Sequence, residues 1–312
     1  VRISDGFQLT TGDHVATLRI DRPERRNAMS AAMWRALPDL LAPLAADPGV
    51  RVLVLTGAGG TFCSGADISE IAGLADGDDD TGLTVAAERA LTAFPKPVIA
   101  MIEGFCVGGG CQLAVACDLR VAAEGSRFGV TPARLGIVYP VSSTRRLVDL
   151  VGPSAAKFLL YSAELIDAGR ALRTGLVDEV VAPGELAGRV YGLARTLAAN
   201  SRLTLAAAKE IVEGRAGEAR VREWQRAARE ESAEGIAAFL ERRPPRFTWT
   251  PPGPGAVPGD ARDGVSGGGP DRASEGVSGD VPGGLSNGAS EEVPDGVSDG
   301  FSGDAYSGDM TS

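Results

Sequence analysis

One histidine, His14, occurs in 312 residues. Its scarcity excludes any scheme needing two imidazoles, and a histidine-based triad is not expected; at the head of the alternating stretch HVATLRI (14–20) it reads as a solvated strand end. The four cysteines (Cys63, Cys106, Cys111, Cys117) show no paired CxxC spacing and sit in apolar or glycine-rich surroundings. Neither a zinc site nor a disulfide framework is expected from them; they read as reduced, buried thiols of a cytoplasmic protein. No run of about 18 apolar residues is present, so no membrane-spanning helix is expected. The opening VRISDGFQLTTGDHVATLRI alternates like strands and lacks the charged-then-apolar order of a signal peptide.

Excess charge is scarce too, except at one end. Residues 251–312 hold 11 acidic and 2 basic residues with 16 glycines and 9 serines, whereas residues 1–250 hold 29 basic and 30 acidic residues. The acidic balance belongs to the tail, and the near-neutral body offers no basic surface for nucleic acid. The tail repeats a loose DGVS unit at 263–266, 275–278, 295–298 and 299–302, at intervals too irregular for a solenoid and without the D-x-[DN]-x-[DN]-G calcium pattern. Low apolar content with charge of one sign cannot offset chain entropy, so 251–312 is expected to be disordered.

What is present in the body is an alternation of strand and helix patterns. HVATLRI (14–20), RVLVLTG (51–57), PVIAMIEG (97–104) and LRVAAE (119–124) read as strands, and LVDEVVA (176–182) as a later, shorter one. SAAMWRALPDLLAPLAAD (30–47) has helical apolar spacing behind a serine, although Pro38 and Pro43 argue against an unbroken helix. Strands alternating with helices imply right-handed crossovers and a largely parallel sheet. After about residue 143 the pattern turns helical, in STRRLVDLVG, SAAKFLLYSAEL, DAGRALRTGL, GELAGRVYGLARTLAAN and the charged stretch 202–243. An α/β core to about residue 195 is therefore expected, followed by a helical region at about 196–250.

Two glycine-bearing loops carry the chemistry. GFCVGGGCQ (104–112) leads from a strand into an almost wholly apolar helix, and fits neither G-x-G-x-x-G nor G-x-x-x-x-G-K-[ST]. A helix N-terminus leaves unpaired N–H groups and partial positive charge, and glycine lets a carbonyl oxygen approach them. LTGAGGTFCSGADISEI (55–71) likewise runs from a buried strand through glycines to a helix start, with Asp67, Ser69 and Glu70 in the first turn.

These residues resemble the crotonase, or enoyl-CoA hydratase/isomerase, family. GAGGTFCSGADISEI is similar to its enoyl-CoA-binding loop and GFCVGGGCQLAVACDLRVA to its second oxyanion segment, while DRPERRNAMS (21–30), PARLGI (132–137) and EGIAAFLERRPPRF (234–247) match further blocks in the same order. The resemblance spans roughly residues 5–247 and implies a core of repeated ββα turns with a helical trimerisation region, as a homotrimer or dimer of trimers. It implies an acyl-CoA thioester substrate, with coenzyme A as part of the substrate and no separate cofactor or metal. The backbone amides of Ala66 and Gly109 would form the oxyanion hole. Arg25, Arg26, Ala28, Gly65, Asp67, Ile68, Gly108 and Pro132 fall at substrate- or coenzyme-binding positions, as do Phe239 and Arg242, the last two often serving a neighbouring subunit. Ser69 stands where the family often has lysine.

The chain departs from the family at both hydratase glutamates: Gln112 ends the GGGC motif, and Pro132, after Thr131, takes the second position. An amide can orient water but is no general base, and proline has no side-chain proton chemistry. Two-glutamate hydration is therefore excluded. Decarboxylation of a malonyl-type thioester needs no base, and FGVTPARLGIVYP (128–140) resembles the methylmalonyl-CoA decarboxylase branch, placing Tyr139 at that branch's active-site tyrosine. That branch has histidine at Ala66 and usually keeps the first glutamate. Decarboxylation or another enolate reaction is the leading expectation; residual hydratase or isomerase activity, or non-catalytic acyl-CoA binding, are the alternatives. Of the nearby polar residues, Asp67 reads as a helix cap, Glu103 as solvated or bonded to the Gly104 turn, Arg134 as ion-paired to a neighbouring element, with attraction of a substrate carboxylate as its alternative, and Asp118 as structural; Ser142 and Ser143 complete the set.

Overall fold

The computed structural model describes residues 2–4, 6–70 and 82–250. Contacts divide the chain into Val1–Asp260 and Ala261–Ser312, and every described residue belongs to the first unit. The tail 251–312, with its DGVS units and its expected disorder, lies outside the described residues.

In chain order, the elements are β1 (Arg2–Ser4), β2 (Phe7–Gly12), β3 (Val15–Ile20), α1 (Ala31–Ala46), β4 (Val52–Gly57), α2 (Leu83–Thr92), β5 (Val98–Ile102), β6 (Phe105–Val107), α3 (Gly109–Ala116), β7 (Leu119–Ala123), β8 (Arg127–Gly129) and α4 (Val141–Ser162). There follow β9 (Ile166–Asp167), α5 (Ala168–Arg173), β10 (Glu179–Val181), α6 (Leu186–Ala199), α7 (Arg202–Val212) and α8 (Glu218–Glu241). The larger sheet runs β1-β2-β3-β4-β5-β7-β10. It is antiparallel through β3 and parallel from β3 onward. A smaller sheet, β6-β8-β9, has one parallel and one antiparallel pairing.

The apolar runs of β4 and β5 do not alternate because both faces of the sheet are covered, as parallel sheets require. Leu53 and Leu55 face a core shared with Trp34, Leu37 and Leu41 of α1. Val52 and Val54 turn to the other face, with Ile99, Met101 and Val121, against Val190 and Ala194 of α6. Helix α1 is continuous through Pro38 and Pro43, contrary to the expected break. Ser30 Oγ accepts from Met33 N at 3.3 Å at its start, and five large side chains, Met33, Trp34, Leu37, Leu41 and Leu44, are buried along it. At about 1.5–3 kcal/mol each, their burial outweighs a proline penalty of about 3 kcal/mol apiece.

Strands β6, β8 and β9 escaped the sequence reading because two or three residues are too few to show a period. Helix α4 bends at Gly152 (φ 75°), just before Pro153, which separates the two helical stretches read there. Helices α7 and α8 pack on each other around Leu203, Ala206 and Trp224, with Trp249 beside them. Lys209 of α7 donates to Asp118 Oδ2 at 2.8 Å, and that oxygen also accepts from Val98 N at 2.7 Å. Asp118 is therefore structural, tying the helical region to the end of α3 and the start of β5. Among the described residues no helix is long and apolar enough to cross a membrane.

Candidate active site

The loop after β4 is held from outside by Asn27, which is fully buried. Its Oδ1 accepts from Arg22 N at 2.9 Å and its Nδ2 donates to the carbonyls of Ala58 and Thr61. This folds the DRPERRN segment over the loop and brings Met29 beside Ala66. Met29 N donates to Gly65 O at 2.8 Å and Asp67 N donates to Met29 O at 2.9 Å. A parallel rung of this kind uses the groups flanking Ala66, so the amide of Ala66 itself points to the opposite side. Gly65 sits at φ 116°, a conformation that side-chain-bearing residues rarely adopt.

On that opposite side lies the start of α3. Gly108 N donates to Gly129 O at 2.8 Å, and Gln112 N donates to Gly108 O at 3.0 Å as the helix begins. The contact between loops depends on missing side chains: a Cβ on Gly110 would stand 2.2 Å from Cys63 O. A Cβ on Gly109 would be 3.4 Å from Ala66 N, and one on Gly65 3.6 Å from Gly109 N. Neither amide donates to any described residue, and both residues are only half-buried. Two N–H groups from distant loops thus share one small space at the positive end of α3. Trp34 floors it, 2.7 Å from the place of a Gly109 Cβ, and Thr131 Oγ1 lies 3.7 Å from that of Gly108. Such an arrangement can hold an oxygen on which negative charge develops.

The flanking candidates are placed as follows. Asp67 accepts from Ser69 Oγ at 2.7 Å and faces Arg22 at 3.4 Å. The Ser69 hydroxyl, with Arg22 in support, holds its carboxyl below the ordinary value. Its capping role is as read from the sequence, although the turn it opens, Ile68–Glu70, is a short 3-10 helix. Ile68 is exposed. Ala28 O accepts from Arg22 Nη1 at 2.7 Å, so Arg22, not singled out in the sequence, organises this edge. Arg25 and Arg26 are exposed, the latter over the Phe105 ring at 5.5 Å. Phe239 and Arg242, at the end of α8, are exposed and make no hydrogen bond or ring contact with the two loops among the described residues. Pro132 opens the short turn Pro132–Leu135. Arg134 is exposed and forms no ion pair among the described residues, which corrects the pairing expected for it. Glu103 is exposed, and its carbonyl accepts from Phe62 N at 2.7 Å.

Further along α3 from Gly109, Gln112 joins a close-packed cluster with Cys111, Tyr139, Ser143, Arg146 and a residue that sequence reasoning missed, Glu88 of α2. Glu88 is 1% exposed. Gln112 Nε2 donates to Glu88 Oε2 and to Ser143 Oγ, each at 2.9 Å, Ser143 Oγ donates to Glu88 Oε2, and Arg146 Nε donates to Glu88 Oε1 at 3.0 Å. A signal was available: Glu88 lies on the buried stripe of α2 with Val85 and Leu91, where an acid is out of place. Burial, then Cys111 and Glu88, push the Tyr139 phenol well above its ordinary value, so it remains an O–H donor. All four cysteines are buried and free. Among the described residues no group of His, Cys, Asp or Glu is arranged to hold a metal.

The fold and the paired loops define a class of α/β protein with a two-amide oxyanion-type site, and comparison with known proteins gives its family. The model of the enoyl-CoA hydratase/isomerase family matches residues 10–250, and the chain belongs to that family. It is 37% identical over 246 residues to crotonyl-CoA hydratase of Syntrophomonas wolfei, covering 75% of this chain and 95% of that protein. It is 38% identical over 246 residues to 2,3-dehydroadipyl-CoA hydratase of Escherichia coli, covering 75% and 94%. The solved structure of an enoyl-CoA hydratase/carnithine racemase from Magnetospirillum magneticum superimposes with a TM-score of 0.74 at 33% identity, covering 78% of this chain and 96% of that one.

Proposed function

We propose that this chain binds an acyl-CoA thioester, polarises its carbonyl with the amides of Ala66 and Gly109, and carries the thioester enolate through its reaction. The observation supporting this is the meeting of two unengaged amides from separate loops. Coenzyme A enters as part of the substrate, and the enolate step calls on no further cofactor. Gln112 and Pro132 supply no general base, so the reaction does not follow the two-glutamate route. Decarboxylation of a malonyl-type thioester fits, because breaking the carbon–carbon bond yields the enolate without proton removal, and the Tyr139 hydroxyl can donate to the departing carboxylate. Hydration or isomerisation is the second reading, favoured by the carboxyl group of Glu88 beside Gln112 and by relatives named as hydratases. Exposed Phe239 and Arg242 fit a homotrimer, alone or paired, in which the end of α8 serves a neighbouring subunit.

Incubation with methylmalonyl-CoA and with crotonyl-CoA, followed by mass spectrometry, tests the proposal. Turnover of the first supports decarboxylation, and of the second hydration. Binding of both with turnover of neither contradicts an enzymatic role and leaves an acyl-CoA-binding protein.

A further inference from the structure

Three cations that form no ion pair with any described residue, Arg51, Lys96 and Arg202, wall one cavity of about 20 Å³ together with Leu197, Leu205 and Trp249. Arg51 directly precedes β4, Lys96 lies two residues before β5, and Arg202 opens α7. Strands β4 and β5 are parallel and lead toward the loops of Ala66 and Gly109, so the cavity lies at the other end of these strands from the two amides. Lys96 Nζ donates to the carbonyls of Leu44 at 2.8 Å and Asp47 at 2.6 Å, and Arg51 Nη1 to that of Ala198 at 2.8 Å. Arg51 Nε is buried without an acceptor among the described residues, and Arg202 makes no side-chain hydrogen bond to any of them. Two acids act on the cluster, Asp47 on Lys96 and Glu231 on Arg202. Both are engaged elsewhere: Asp47 Oδ1 accepts from Gly49 N at 2.7 Å, and Glu231 accepts from Ser201 Oγ at 2.6 Å and Trp249 N at 2.8 Å. Lys209, which donates to Lys96 O, is neutralised by Asp118. Three positive charges therefore meet two negative ones, and the amino end of α7 adds partial positive charge. Burial, aided by Arg202 against the charge of Asp47, pushes the Lys96 ammonium down to about 8. Burial and then Arg51 lower Arg202. The cluster repels itself.

We propose that this cavity binds a single halide-sized anion, chloride, between Arg51, Lys96 and Arg202, and that the ion fastens α7 to the strand ends of the core. The volume decides the kind of anion. It exceeds the roughly 10–15 Å³ that one water molecule needs, and the four oxygens of a phosphate do not fit. The side chains of Leu197, Leu205 and Trp249 offer no acceptor that would favour a cation in the same place. The ion offsets the surplus positive charge and takes hydrogen bonds that the protein leaves unmade. Its site is separate from the thioester site and does not depend on which reaction occurs there.

Chloride titration of the full chain, followed by the 35Cl NMR line width with sodium gluconate holding ionic strength constant, tests this. Wild type should broaden the chloride line saturably. Arg202→Gln should weaken that binding roughly 10- to 100-fold, the scale of a hydrogen bond to a charged group. Arg35→Gln, the same charge change at an exposed position, should leave it unaltered. Melting temperatures give a second readout. Replacing gluconate by chloride should raise that of wild type, whereas Arg202→Gln, relieved of repulsion, should match or exceed wild type in gluconate and gain nothing from chloride. An arginine serving only to pack would lower stability equally in both salts, which contradicts the proposal. Crystals of wild type grown with bromide need no variant and should show an anomalous peak between Arg51 and Arg202. Equal line widths in the three proteins, bromide only elsewhere on the surface, or a response to sulfate without one to chloride overturns the assignment.

Discussion

The side-chain nitrogen of Gln112, on α3, lies 2.9 Å from a carboxylate oxygen of Glu88, on α2. A buried acid thus stands beside the position of the first expected glutamate, although neither of those glutamates is present. Gln112→Glu, the substitution that would restore the family motif, sets two carboxylates at this distance. Like charges so placed raise one of the two pKa values strongly, so the single variant should be less stable than wild type by about 1–3 kcal/mol and gain no hydratase activity. The exchange Glu88→Gln with Gln112→Glu keeps one amide and one carboxylate and should recover the stability. Urea midpoints of the three proteins, with crotonyl-CoA hydration rates, check this.

Arg146 is the only cation bonded to Glu88 among the described residues. Arg146→Met leaves a buried carboxylate without its counter-charge, at a cost of about 3–5 kcal/mol. Adding Glu88→Met should return most of that loss. A double-mutant cycle in which the two effects simply add contradicts the pairing.

The two loops meet only where side chains are absent. Gly110→Ala puts a methyl group 2.2 Å from Cys63 O, and both partners are backbone-bound. It should lower stability by about 1–3 kcal/mol and abolish acyl-CoA binding by forcing α3 away from the first loop. Gly188→Ala, in α6 with open space around it, should instead raise stability by about 0.5–1 kcal/mol. Thermal melts and calorimetric titration with butyryl-CoA distinguish the two.

Burial pushes the thiols of Cys63 and Cys117 up to about 12 from an ordinary 9.0. The fold keeps these protons while the unfolded chain releases them, so the stabilisation is complete below pH 9 and drains away toward pH 12. Each thiol contributes about 1.4 kcal/mol per pH unit in that window. Lys96, pushed down to about 8 from 10.5, acts oppositely, adding stability as pH rises between those values. The net decline should therefore be steepest above pH 10.5. Urea midpoints of Cys63→Ala with Cys117→Ala should fall less steeply there than those of wild type.

Much of the fold was legible because the signals were local. Apolar runs marked β4 and β5, and glycines before an apolar helix marked both loops that meet at Ala66 and Gly109. Pro38 and Pro43 misled locally, since the burial of Trp34 and its neighbours decides the continuity of α1. The short strands β6, β8 and β9 depend on pairing partners rather than pattern. Glu88 was obscured for a similar reason: its partners at 112, 143 and 146 are joined to it only by folding. Its one local mark was an acid on an apolar stripe.

The claim on which the account rests is that the amides of Ala66 and Gly109 together hold the thioester oxygen. Isotope-edited infrared spectroscopy of bound butyryl-CoA, labelled with 13C at the thioester carbonyl, tests it most directly. Two hydrogen bonds to that oxygen predict a carbonyl stretch clearly lower in frequency than that of the free thioester in water. A bound thioester whose stretch is unshifted, or higher, contradicts it.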